Sequence, residues 1–72
     1  MNTSAPMDEL EVLRVELEVL RREHRDLDEA IKALEHRATA DVLTVRRLKK
    51  RKLALKDKIA VLEDRIFPDI IA

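Results

Sequence analysis

A chain of 72 residues is one small domain at most, and it buries so little surface that stability must come from long regular helices, self-association or staples. It has no cysteine and no glycine, one aromatic residue and 42% charged residues, which excludes disulfides, thiolate chemistry and most strand and tight-turn residues. The formal net charge is zero, yet residues 1–36 carry ten acids against five bases and residues 37–72 five against ten, an opposition expected of two elements that lie against each other.

Residues 1–6 read as a flexible tail. From about 7 to 37 the spacing predicts a first helix, opened by an acidic capping-box pattern of Asp8 and Glu11 behind Pro6. Its apolar positions recur at alternating steps of three and four. Leu10, Leu17, His24, Ile31 and Ala38 take the a positions of a heptad, and Leu13, Leu20, Leu27 and Leu34 take d. A turn is expected at about 38–40. Thr39 as cap and Asp41 as first-turn acid then open a second helix over about 40–67. Its seam runs Val45, Leu48, Lys52, Leu55, Ile59, Leu62 and Ile66, with lysine as the one polar a residue. Pro68 ends it and leaves residues 68–72, closing on Ile70-Ile71-Ala72, as a C-terminal tail.

So short a connection forces the helices to run antiparallel. Folding the chain back at Thr39 and Ala40 sets every a residue against a d residue: Leu34 on Val45, Ile31 on Leu48, Leu27 on Lys52, His24 on Leu55, and so on to Leu13 on Ile66. The flanking e and g residues then predict attraction between Arg14 and Glu63, Asp28 and Lys49, Glu16 and Arg65, and Glu23 and Lys58, against one repulsion between Arg21 and Lys56. A parallel self-pairing scores worse. The expected fold class is therefore all-α: an antiparallel two-helix coiled-coil hairpin that associates into a helical bundle.

The run Glu23-His24-Arg25-Asp26-Leu27-Asp28-Glu29-Ala30-Ile31, the later Leu48-Lys49-Lys50-Arg51-Lys52-Leu53-Ala54-Leu55-Lys56-Asp57-Lys58-Ile59 and the ending Pro68-Asp69-Ile70-Ile71-Ala72 resemble the YdcH family over about residues 10–72. A looser likeness runs to short bacterial coiled-coil proteins of the SlyX type. The resemblance implies a bacterial, cytoplasmic helical protein of unknown function, and it supplies no activity, cofactor or catalytic residue. No stretch of about 18 apolar residues is present to span a membrane, and no secretory signal is expected, because acids interrupt the sequence from Asp8 onward.

The polar residues of the two seams fall in adjacent layers. His24, with Glu23 before it and Asp28 four residues on, has two-ligand spacing, but two ligands do not make a metal site, and His36 lies about 18 Å further along the helix. The reading adopted is a register layer of His24, Lys52, Asp28 and Glu23, in which the lysine stem covers Leu27 while its ammonium reaches Asp28 or Glu23. Ser4 is the only serine, and no acid–base–nucleophile set or phosphate loop exists, so neither an enzyme nor a cofactor is expected.

Six bases crowd into Arg46-Arg47-Leu48-Lys49-Lys50-Arg51-Lys52. With Lys49 and Lys52 used by the hairpin, Arg46, Arg47, Lys50 and Arg51 form a basic face for an acidic protein partner or, as the alternative, for the phosphates of nucleic acid. Apolar stripes that two helices cannot hide complete the reading: Val12, Val15 and Val19 on the first helix, and Leu53, Ala60 and Phe67 on the second. They point to a protein–protein interaction or self-assembly module, with a homo-oligomer first and a different protein next.

Overall fold

The computed structural model describes residues 8–37, 39 and 41–68. The expected N-terminal tail, Ala38 and Ala40 of the turn, and the C-terminal tail from residue 69 lie outside the described residues. Two helices, α1 (Glu9–Glu35) and α2 (Val42–Ile66), pack against each other as an all-α hairpin. Each is shorter than its apolar period predicts, and the capping groups show why.

The α1 N-cap is Asp8, whose carboxylate accepts from the Leu10 N–H at 3.3 Å. Its far end stops without glycine. His36 closes the last turn through its backbone N–H to the Lys32 carbonyl at 3.2 Å, and its ring Nδ1–H donates to the same oxygen at 2.6 Å. That second bond is a use of His36 that periodicity does not reveal. At the start of α2 the cap differs from expectation: Asp41, not Thr39, is the N-cap. One Asp41 oxygen accepts from the N–H groups of Leu43 and Thr44 at 3.1 and 3.2 Å, and the other accepts from the Thr44 hydroxyl at 2.7 Å. A carboxylate presenting two oxygens to three donors satisfies more of a helix start than one hydroxyl does. Phe67 ends α2 at φ −124° and ψ 62°, outside the helical region, as the residue before a proline should be.

Leu17, Ile31, Val45, Leu55, Leu62 and Ile66 are buried, and all six belong to the two seams. The tightest cluster joins Leu17, Leu62 and Ile66, with Leu10, Leu13, Leu20 and Ile59 packed around it, at the end farthest from the turn. Ile31 and Val45 lie at the turn end. Between the two ends stand His24 and Lys52, both half-buried, so the apolar seam is interrupted midway.

Ion pairing departs from the simple facing scheme. Glu63 pairs with Arg21 at 2.7 Å rather than with Arg14, and Lys49 pairs with Glu35 at 2.8 Å rather than with Asp28. In both cases the partner on α1 lies one heptad further along. Side chains on a helix lean toward its N-terminus, and in antiparallel helices the two leans converge. Tips therefore meet beyond the residues whose backbones are level, and Arg21 escapes its expected clash with Lys56.

Candidate interaction surfaces

The seam divides the flat hairpin into two broad faces, one carrying the e residues of both helices and one carrying the g residues. Lys52 leaves the seam on the e side, where its ammonium donates to Asp28 Oδ1 at 2.6 Å; Lys32, one turn on, holds Asp28 Oδ2 at 3.2 Å. The Lys52 and Asp28 side chains are 32% and 30% exposed, so the pair is only partly withdrawn from water. Lys52 chooses Asp28; Glu23 lies on the other face, beside Asp26 and Arg51. No buried side-chain nitrogen or oxygen among the described residues lacks a partner.

Two carboxylates titrate below the ordinary aspartate value of 3.8. The Lys52 ammonium, aided by Lys32, lowers Asp28. The Thr44 hydroxyl, aided by the N–H groups of Thr44 and Leu43, lowers Asp41. A carboxylate depressed on folding contributes stability that is present above its unfolded value and is lost as pH falls below 3.8 toward the folded value. The melting temperature of Asp28→Asn/Asp41→Asn should therefore lie below wild type near neutral pH, and the gap should narrow as the acid range is entered. Circular dichroism melts taken across that range check this. A gap independent of pH would mean that the two carboxylates act through shape alone.

Arg46, Arg47, Lys50 and Arg51 are exposed, and among the described residues none of them takes part in a salt bridge. The apolar stripes are exposed as well: Val12, Val15 and Val19 by about half, and Leu53 by 61%. The structure separates them. Ala60 and Phe67 line a groove of about 430 Å³ on the e face with Arg21 and Glu63. Val12 and Val19 stand one turn to either side of Glu16, which borders a groove of about 540 Å³ on the g face with Lys58 and Arg65. That second groove is walled by Val61, 59% exposed, which the stripes read from the sequence do not include. Val42 and Leu43, exposed in the first turn of α2, are likewise missed.

The family model described as protein of unknown function (DUF465) matches residues 17–63, more than half of the chain and the central part of both helices. The chain belongs to the DUF465 family. This is the family commonly called YdcH-like. No curated protein and no solved structure gives a match. The DUF465 match covers the polar layer and the basic run and omits Val12 and Val15 of the first stripe and Phe67 of the second. No helix among the described residues is long and apolar enough to cross a membrane.

Proposed function

We propose that the protein is a non-enzymatic interaction module that works by self-association in the cytoplasm and presents its basic face to a partner. The observation that carries this reading is the apolar surface left uncovered when the single seam is complete. Val12, Val15, Val19, Leu53, Val61 and Phe67 are each at least 41% exposed in a domain whose buried core is six aliphatic side chains. A fold this small has little stability in reserve, and further burial contributes about 25 cal/mol per Å². Sedimentation of the wild type at about 100 μM, well above ordinary dimer dissociation constants, should show a species larger than the monomer. A monomer at that concentration would end the self-association reading and leave the apolar surface to a different protein.

A second reading rests on Arg46, Arg47, Lys50 and Arg51, which are exposed and outside every salt bridge among the described residues. Four such bases can neutralise phosphates and release counterions, which makes the expected binding strongly salt-dependent. Titration of mixed RNA and DNA decides it. Micromolar binding that weakens steeply with added salt supports a nucleic-acid role, and no binding at about 50 mM salt removes it.

A further inference from the structure

We propose that a second copy of this chain docks on the g face about a two-fold axis running along the helices, so that the acidic α1 of each copy lies on the basic α2 of the other. This inference rests on the self-association reading and adds the face, the axis and the pairing.

The two faces are not equivalent. Among the described residues three ion pairs join α1 to α2, Arg21 with Glu63, Glu35 with Lys49 and Asp28 with Lys52, and all belong to the e side. On the g side Glu16, Glu23 and Asp26 of α1 and Arg51, Lys58 and Arg65 of α2 are exposed, and among the described residues none of them is in a salt bridge. They nevertheless border the same grooves, Glu16 with Lys58 and Arg65, and Glu23 and Asp26 with Arg51. The charges between them alternate with small or β-branched residues: Val12, Val19 and Ala30 on α1, and Ala54 and Val61 on α2. Apart from Asp57, which lines the Glu16 groove from α2, each helix thus offers a row of charges of one sign, with short apolar side chains between them that let another helix approach.

Two copies can stack g face on g face about either of two axes. An axis across the helices lays α1 on α1 and α2 on α2, which sets acid on acid and base on base. An axis along the helices lays α1 on the partner's α2, antiparallel and at the same level as within one chain. Glu16 then meets Arg65 of the partner subunit, Glu23 meets Lys58 of the partner subunit, Val19 meets Val61 of the partner subunit, and every contact occurs twice. Charge therefore selects the second axis, while the valines and alanines supply the burial. Arg46 stays outside this interface, toward the e side, whereas Arg51 of the basic face lies within it and is not left for another partner.

The test uses two full-length variants, Glu16→Lys/Glu23→Lys and Lys58→Glu/Arg65→Glu, each first shown by circular dichroism to keep its helices. In sedimentation at about 100 μM each alone should be monomeric, with association weakened at least tenfold, and an equal mixture should restore the dimer. If either variant unfolds, Glu16→Gln/Glu23→Gln replaces it and should weaken association without rescue by the second variant. Variants that dimerise as the wild type does would overturn the g-face assignment and leave self-association intact. Tighter pairing of Glu16→Lys/Glu23→Lys with wild type than of wild type with itself would show α1 on α1 and overturn the axis. A monomeric wild type would remove the self-association reading itself, and this inference with it.

Discussion

Leu17→Ala is expected to lower the melting temperature by on the order of 15 °C, since a buried leucine-to-alanine change costs about 2–5 kcal/mol and each kcal/mol moves a domain of this size by about 4–8 °C. Leu17 is 3% exposed and stands at the centre of the cluster with Leu62 and Ile66. Two helices with one shared seam have no second layer that could collapse into the gap, so little of the cavity is recovered. Leu43→Ala removes the same atoms from a side chain that is 55% exposed and should change the melting temperature by no more than a degree or two. Thermal melts of both variants decide the matter. Equal effects at the two positions would mean that the seam is not where the stability resides.

The opposite sign is expected for His24→Leu combined with Lys52→Leu. Both residues are half-buried at seam positions and break the apolar core between its two ends. A leucine half removed from water contributes about 1 kcal/mol, so two should raise the melting temperature by about 10 °C. Asp28 keeps Lys32 as a partner and is open to water, so its carboxylate is not stranded. The gain should carry a loss of definition: without a polar layer, pairings slipped by one heptad bury nearly as much, and sedimentation should show mixed species. A lower melting temperature in both single variants would show that the Lys52–Asp28 bond stabilises the fold outright.

The antiparallel hairpin is legible in the sequence because its signals are local or periodic. The three-and-four spacing from Leu10 to Leu34 and from Val45 to Ile66 locates the seam, and the phase match across Thr39 locates the turn. What resists reading depends on where atoms go after the backbone is placed. Arg21 finds Glu63, and Lys49 finds Glu35, because side chains lean along the helix, which heptad letters do not record. Asp41 outcompetes Thr39 as cap because its two oxygens reach three donors, one of them the Thr44 hydroxyl. Val12 and Val19 hold heptad position c beside g, whereas Ala60 and Phe67 hold b beside e, so the heptad itself sends them to opposite faces, and the packing brings Val61 beside Glu16.

The position of the tightest cluster has a consequence for how the molecule opens. Leu17, Leu62 and Ile66 tie the hairpin at the end remote from the turn, while the turn itself holds the other end. A pair of tongs fastened at both tips does not splay; it bows. The least costly internal opening is therefore a blister in the middle, beside the half-buried Lys52 and His24, and amide exchange inside the helices should be faster there than around Leu17 or Ile31. Such a blister also meets the hardest closure last in folding. The residues of the far cluster are the most distant along the chain, so the zipper started at the turn must cross its weakest layer before the strongest one can lock it.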